Sequence, residues 1–537
     1  MKYLFYSFIY IFLIASVALS QNDFSNDPQV IFNHPNTVIN AQQNFLLNPT
    51  YVNMDLSNNI LPQNEPSVRI SRTNPNIVVA AWRDFRLGYL NPVVRRIGYC
   101  YSTNGGYIWS TSALLPDPAP EHSTQSDPVL IDDANGNFYL TSTSRDPTNT
   151  RGETVVYKST NNGVNWVYYS VAASSSNFED KEWITCDLVT GSPYFNNLYI
   201  TWTRIPGGIR FIKSTNAGLN WGSPVNVGDN SNGQGSNVAV GTNSYIYVVW
   251  GQSNGIKFDK STNGGTSFGT DYALSTNPNS IGFPYICVDY SNHTTRGNVY
   301  VIWDDNRNGS FDVWLQRSTN AGTNWLTSPI RVNDVATNNQ YKPIIQCDTN
   351  GYLSVVYYDE RTGAGVVNSY YAYSTDAGNT WVNTRISDSS FAYISIGSEV
   401  RNGEYIGIDA FMNKIIPVWC DDRRGSPDQE IFASNISILT GVKPISNIIP
   451  KTFTLSQNYP NPFNPVTNID YSVPSNSFVT LKVYDVLGNE TAVLVNKIIK
   501  AGNYSVTFDA SGLSTGIYFY TLRSEGFIQT KKMMVLK

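Results

Sequence analysis

The residues best suited to chemistry are arginines and carboxylates that recur just behind an aromatic residue. Four segments carry the pattern: Trp82-Arg83-Asp84-Phe85-Arg86, Trp303-Asp304-Asp305-Asn306-Arg307, Tyr357-Tyr358-Asp359-Glu360-Arg361 and Trp419-Cys420-Asp421-Asp422-Arg423-Arg424. A fifth, Trp202-Thr203-Arg204, keeps the arginine and lacks the acid, and the segment at Gln252 has no charge. A guanidinium offers a planar fork of donors, so Arg86, Arg204, Arg307, Arg361 and Arg423 are expected to line a ligand-binding ring for a carboxylate, sulfate or phosphate. The competing expectation is that each Asp pairs the arginine of its own segment and stiffens a loop. A second set of acids, Glu65, Asp127, Glu182 and Glu404, stands just ahead of strand-like runs, densest at Phe178-Glu179-Asp180-Lys181-Glu182-Trp183. Two carboxylates can act as acid and nucleophile in glycoside hydrolysis, which makes Glu182 a candidate catalytic residue. A solvated loop is the plainer reading of the same cluster.

These residues need a frame, and the frame is repetitive. Ser102-Thr103-Asn104-Gly105-Gly106, ending on Trp109, returns at Ser159, Ser214, Ser261, Ser318 and Ser374, each ending on Trp or Phe. Successive starts lie 47–57 residues apart, and a near-constant period of about 50 residues means a propeller or solenoid. Within each period a first strand follows a lead-in such as Glu65-Pro66, Asp127-Pro128, Glu182-Trp183, Phe283-Pro284, Lys342-Pro343 or Glu404-Tyr405. A turn comes next, with Asn-Gly at Asn135-Gly136 and Asn350-Gly351 to accept positive φ. The second strand ends on the aromatic residue, the third runs into the Ser-Thr-Asn turn, and a fourth leaves it. Four antiparallel strands per period make one propeller blade. Ser and Asn side chains bond nearby backbone, Gly frees φ, and Trp plugs the apolar layer.

The repeated turn resembles the Asp-box (BNR) pattern, Ser-x-Asp-x-Gly-x-x-Trp, of the sialidase superfamily, from roughly Asn64 to Ser437. Asn replaces Asp at Asn104, Asn161, Asn216, Asn263 and Asn320, and Asp376 keeps the acid. The resemblance implies a sialidase-like β-propeller, with the boxes on the face opposite the active site, so the boxes speak for fold and not for catalysis. Seven blades are expected: six carry the box, and Glu404 to Ile436 supplies three strands that the segment Val30 to Val52 completes. Six blades, with the last unit outside the ring, is the alternative.

Sialidases use an arginine triad on the substrate carboxylate, a Tyr–Glu nucleophile pair and an Asp acid/base. The first arginine belongs to an Arg-Ile-Pro run, which Arg69-Ile70-Ser71 matches at two positions, although alignment by the lead-in prolines puts Asn64 there instead. Arg204-Ile205-Pro206 is literal but follows a second strand. The acid/base lies shortly after an Asp-x-Arg like Asp84-Phe85-Arg86. Leu87 to Arg96 holds no acid, so Asp84 is the remaining candidate. Tyr405, next to Glu404, is the candidate nucleophile, and strand tyrosine is the plainer reading. The catalytic set implied is Arg69, Asp84, Glu182 and Tyr405.

Other chemistries find little. The chain has three histidines and no His-x-x-x-His pair. Cys100, Cys186, Cys287, Cys347 and Cys420 are scattered without a CxxC and read as buried thiols. Asp304, Asn306, Asn308, Gly309 and Asp312 mimic part of a calcium loop, but Leu315 stands where the bidentate Glu would be. No cofactor or metal is expected. A net charge of −5 gives no field for nucleic acid.

Both ends of the chain point outward from the cell. Lys2, the apolar run Leu4 to Leu19 and Ala18-Leu19-Ser20 read as a signal peptide cleaved before Gln21. After Ile438 the blade pattern stops. Asn458-Tyr459-Pro460-Asn461-Pro462-Phe463-Asn464-Pro465, the strand start Leu513-Ser514-Thr515-Gly516-Ile517-Tyr518 and the basic end Lys531 to Lys537 together resemble the type A sorting domain of the type IX secretion system. That resemblance implies recognition by the secretion machinery at the outer membrane and an extracellular or surface-attached product. Alternating strands around the Asp485-Val486-Leu487-Gly488 hairpin suggest an Ig-like sandwich. The expected division is 1–20 signal peptide, 21–60 ring-closing segment, 61–438 propeller, 439–452 linker and 453–537 sorting domain. The expected function is a secreted or surface module binding a glycan or protein; the alternative is a divergent exo-sialidase or other glycoside hydrolase.

Overall fold

A computed structural model describes residues 51–536 apart from 89–94, 117–123, 146–151, 230–231, 254, 278–281, 393–394, 397–399, 426, 438–442, 447–449, 476, 500, 511–512 and 525. The signal-peptide segment and nearly all of Val30 to Val52 lie outside the described residues. The chain divides into two units, Met1–Ile436 and Ser437–Lys537.

The first unit is a succession of antiparallel sheets. The first sheet is Gln63–Ile70, Val78–Asp84, Arg96–Ser102 and Ala113–Leu114. Five more repeat its order, beginning at Thr124, Phe178, Gln234, Tyr285 and Gln340. The seventh is Gly407–Phe411, Lys414–Asp421 and Glu430–Ala433, with Met54–Asp55 paired outside Glu430–Ala433. Its fourth strand therefore comes from just beyond Val30–Val52, the segment expected to supply it. First strands of adjacent sheets touch in sequence, and Gln63–Ile70 touches both Thr124–Asp132 and Gly407–Phe411, so the ring closes. Apolar layers weld each joint: Ile70, Val78 and Trp82 of the first sheet share one core with Ile416, Val418 and Ile431 of the seventh. This is an all-β β-propeller without a helix among its described residues.

The repeated turn explains its own sequence. Ser102 Oγ donates to Asn104 Oδ1 (2.9 Å) and accepts from Gly106 N (2.9 Å), while Asn104 Oδ1 also accepts from Ile108 N (2.9 Å). Trp109 Nε1 donates to Gly106 O (3.0 Å). Asp376 does the same work, accepting from Ser374 Oγ (2.7 Å) and Thr380 N (2.9 Å) through one oxygen. Only one acceptor oxygen is needed, and the amide of Asn supplies it; that is why five boxes tolerate Asn. The turns also stitch neighbouring sheets. Lys213 Nζ donates to Gly264 O (2.7 Å), Lys260 Nζ to Ala321 O (2.9 Å) and Arg317 Nη1 to Ala377 O (2.6 Å), each carbonyl lying in the next sheet's turn.

The second unit holds two four-stranded sheets. One is ordered Lys443–Ser446, Gly502–Asp509, Val466–Val473, Thr454–Leu455; the other Glu490–Ile499, Ser477–Tyr484, Gly516–Ser524, Phe527–Val535. Lys443–Ser446 falls inside the stretch expected as linker and is a strand paired to Gly502–Asp509. Ile469, Tyr471, Val479, Leu481, Val506, Tyr520 and Val535 form a common core between the sheets. The Asn-Pro-Phe motif and the basic end meet there: Phe463 N donates to Met534 O (3.0 Å), and Leu536 N to Phe463 O (2.9 Å). The backbone N–H of buried Asn458 donates to Tyr520 Oη (2.7 Å).

Candidate functional site

The aromatic–Asp–Arg segments turn out to be self-contained. Trp82 Nε1 donates to Asp84 Oδ2 (2.8 Å), and Arg86 Nη2 donates to the same oxygen (2.7 Å). Trp303, Asp305 and Arg307 repeat this, with the indole bond at 2.8 Å and Arg307 Nε–Asp305 Oδ1 at 2.8 Å. So do Trp419, Asp421 and Arg423, at 3.1 and 2.9 Å. Arg361 holds Asp359 (2.8 Å) and Asp334 (2.7 Å). Three guanidiniums are also capped by rings: Arg307 by Trp314 (4.6 Å), Arg361 by Tyr370 (4.0 Å) and Arg423 by Phe432 (4.0 Å). The third sheet lacks the Asp, and Glu179 of its first strand takes the role, accepting from Trp202 Nε1 (2.5 Å) and Arg204 Nε (2.8 Å). The five arginines expected as a ligand clamp are thus each engaged inside their own sheet, because a buried carboxylate beside the indole needs a cation more than the loop surface does.

Asp84, expected as an acid/base, is sealed in that arrangement with its side chain wholly buried. Arg69, expected on a substrate carboxylate, lies at the far end of the first strand. There it binds Asp132 (2.8 Å), and beside it Arg72 binds Asp409 (2.7 Å). The calcium-like run does not converge either: Asp312 accepts from Asn333 (2.7 Å) and Asn308 (3.2 Å), while Asp304 accepts from Lys342 N (3.1 Å).

Glu182 and Tyr405 do come together. Glu182 lies in one of five sheets that start with a bulge, a residue skipped in the ladder between Asn64/Ser67, Ser126/Val129, Asp180/Trp183, Gln234/Asn237 and Tyr341/Ile344. The first bulge residue has positive φ, which glycine takes freely, as at Gly235 (64°). The others are charged: Glu65 (55°), Asp127 (57°), Lys181 (50°) and Lys342 (52°). Such backbone costs about 1–3 kcal/mol each and is held only by its surroundings. The lead-in of the third sheet is therefore Lys181-Glu182, one residue earlier than the Glu182-Trp183 expected from sequence. Phe283 and Tyr405 stand at the corresponding place in the fifth and seventh sheets, two residues ahead of the first paired residues Tyr285 and Gly407.

Part of this ring is neutralised. Arg83 Nη2 lies 3.0 Å from Glu65 Oε1, and Lys181 pairs with Glu404. Lys181 Nζ also sits 4.3 Å from the Phe283 ring centre. Asp127 accepts from Thr143 Oγ1 (3.1 Å). Glu182 is 1% exposed, and neither of its carboxyl oxygens has a partner on another of the described residues. Tyr405 Oη and Ser236 Oγ, also buried, have no partner among the described residues. Loss of water, then the charge of Asp127, pushes the Glu182 carboxyl well up; burial, then Asp127, does the same to the Tyr405 hydroxyl. Asp127, Lys181, Glu182, Trp183, Ser236, Tyr285 and Tyr405 front a void of about 20 Å³. A larger cavity of about 520 Å³ runs between the other halves of the first strands, from Val68, Ile184 and Val238 to Arg69, Arg72 and Tyr290. Cys186, Cys287 and Cys347 face it as neutral thiols, pushed up by burial. No three acidic, thiol or imidazole groups lie at metal-binding spacing among the described residues.

A sheet ring with an axial cluster defines a β-propeller, and the C-terminal unit defines its route. Residues 457–536 match the family described as "Secretion system C-terminal sorting domain"; this segment is a type IX sorting domain, and the chain is exported to the cell surface or beyond. No curated protein matches the chain. Among solved structures, it is similar to a protein of unknown function from Dyadobacter fermentans (10% identity, TM-score 0.42, covering 73% of this chain and 100% of that one). It is also similar to a leech intramolecular trans-sialidase (11%, 0.44, 66% and 71%) and to a Penicillium chrysogenum α-L-arabinanase (12%, 0.42, 72% and 99%).

Proposed function

We propose that this type IX cargo is a glycan- or protein-binding propeller at the bacterial surface. The observation that carries the reading is the fate of the arginines: Arg86, Arg204, Arg307, Arg361 and Arg423 each serve a carboxylate of their own sheet. No free guanidinium set is left among them for a substrate carboxylate. The axial void of about 20 Å³ is also far below the roughly 300 Å³ at which ligand pockets begin. Affinity would then come from the loops around the axis, and specificity from their differences.

A second reading has one observation in its favour. Glu182 and Tyr405 front the same void with unpartnered oxygens, as a nucleophile pair of a divergent exo-sialidase or other glycoside hydrolase would. Hydrolysis of a fluorogenic sialic acid glycoside by the purified chain separates the two. The binding reading expects no turnover above blank and retention on a glycan or surface-protein array. Turnover that disappears in Glu182→Gln and Tyr405→Phe would sink it.

A further inference from the structure

The axis of the ring is plugged at one end and open at the other. Trp183 fronts both the small void and the cavity of about 520 Å³. Its ring packs edge to face against Tyr285 (5.2 Å between centres) and Tyr405 (6.2 Å), so three sheets build one aromatic plug. The opposite mouth is rimmed by exposed Thr190, Arg296 and Thr349 and by Tyr290, which is 43% exposed. All four lie in turns between first and second strands, at the same end of the sheets as the Ser–Asx boxes. A cavity of about 520 Å³ falls within the roughly 300–1,000 Å³ of ligand sites.

Its wall is uneven. One ladder position of the first strands faces the cavity in every sheet. Ile131, Ala239 and Cys287 make that layer apolar on one arc, and Arg69, Thr185, Gln346 and Asp409 make it polar on the rest. In the polar part the acids are satisfied and the donors are not. Asp409 accepts from Arg72 Nη1 (2.8 Å) and Nη2 (2.7 Å), Ile70 N (2.7 Å) and Ala410 N (3.0 Å). Asp348, nearer the mouth, accepts from Asn350 N (2.8 Å), Tyr352 N (2.9 Å) and Asn350 Nδ2 (3.1 Å). Arg69 bonds only through Nε, to Asp132 (2.8 Å), and its Nη1 stops 4.0 Å from Asp409. The half-buried Thr185 hydroxyl and Gln346 amide bond no other described residue. Arg296 donates to Ser291 O (3.0 Å) and Tyr290 O and pairs with no acid among the described residues.

Charge disfavours an ion of either sign. Arg69, Arg72 and Arg296 stand against Asp132, Asp348 and Asp409, and Asp133, Asp187 and Asp289 lie behind them in the turns, so an anion finds no surplus of positive charge. A cation would meet guanidinium and amide donors, the groups left over on the wall, instead of free carboxylate oxygens. Uncommitted donors beside an apolar arc and an aromatic rim suit a neutral polyhydroxylated ring: its oxygens accept from Arg69, Arg296 and Gln346, and its C–H face lies on apolar or aromatic surface. We infer that the axial cavity takes the end of a neutral saccharide chain, entering from the face that carries the Ser–Asx boxes. The inference rests on the binding reading above and gives the glycan its place.

The experiment places the purified full chain on an array of cellobiose, lactose, maltotriose, mannotriose, sialyllactose and bacterial and host surface proteins, then titrates the retained sugars by calorimetry. Retention of at least one neutral sugar is expected. Thr185→Val and Gln346→Ala should each weaken it roughly three- to tenfold, and together more, because each removes one hydrogen bond to the ligand. Neither side chain bonds the protein, so both variants should melt with the unaltered chain in the absence of sugar. Tyr290→Leu, on the exposed rim, should weaken binding without touching the wall. Neutral sugars held equally by the unaltered chain and all three variants, or a chain that holds only sialyllactose or a protein, would overturn this site, leave the cavity to water and let the binding reading stand. A chain that retains nothing on the array overturns both.

Discussion

At the scale of single residues, the third sheet shows how a missing group is replaced. Trp202 and Arg204 stand without the Asp that serves Trp82 and Arg86, and Glu179 of the neighbouring strand binds both. Its side chain is fully buried, whereas Arg204 is 18% exposed. Glu179→Ala therefore strips a buried indole and a mostly buried guanidinium of one shared acceptor. A loss of about 3 kcal/mol is expected, at the low end for a broken buried pair because Arg204 keeps some water. Glu179→Gln retains one acceptor and should lose about 1 kcal/mol. Urea unfolding of the two variants checks the order; equal midpoints would refute it. The aromatic–Asp–Arg run was legible in sequence, and so was its self-pairing reading. Glu179 was not, because it comes from the strand paired beside Trp202, and a linear run does not show cross-strand partners. For the same reason the sequence names Glu182 and Tyr405 separately. Only the closed ring brings the bulged start of the third sheet and the residue two places ahead of Gly407 to one void.

At the scale of elements, the period and its four strands were legible because alternating apolar runs and a Ser–Asx turn repeat along the chain. The closing strand was harder. Met54–Asp55 is two residues long and has no alternating pattern of its own, so its place is set by what it meets. It meets Glu430: Asn59 N donates to Glu430 Oε1 (2.7 Å), Ser57 Oγ donates to Oε2, and Arg424 Nη1 lies 3.2 Å from Oε1. Burial first, then the nearby Asp55 charge, raises the Glu430 carboxyl to about 8. An unfolded glutamate has its ordinary 4.5, so between these values the folded ring holds a proton that the unfolded chain releases. Stability from this group is full below about 4.5 and is lost as pH rises through about 8. Asp304 and Asp422, raised to about 7 chiefly by burial, act in the same direction. Melting temperature should fall from pH 5 to pH 8.5, with a smaller fall in Glu430→Gln. A variant that keeps the whole slope would remove Glu430 from this account.

At the scale of the whole molecule, the two units divide the work of address and of surface function. The sorting unit was legible because its motifs are local and lie at its two ends. What the sequence does not show is that the ends are one structure. Phe463 exchanges backbone hydrogen bonds with Met534 and Leu536, and Tyr520 accepts from Asn458 while donating to Ser456 O (2.9 Å). The last strand, Phe527–Val535, puts Met533 and Val535 into the shared core and leaves Ile528, Lys532 and Met534 on its outer side. Removing it exposes the core of both sheets and frees Phe463, so the address is lost with the fold and not residue by residue. A chain truncated after Gly526 should then be retained inside the cell as completely as one truncated after Ser456. Lys531→Ala with Lys532→Ala touches only outward or partly buried positions, and should leave the fold intact. Immunoblots of cell, surface and medium fractions from a type IX-competent bacterium read all three. If the chain ending at Gly526 reaches the surface, recognition resides in the Asn-Pro-Phe half alone. If the double lysine variant is folded and still retained, the machinery reads those side chains directly.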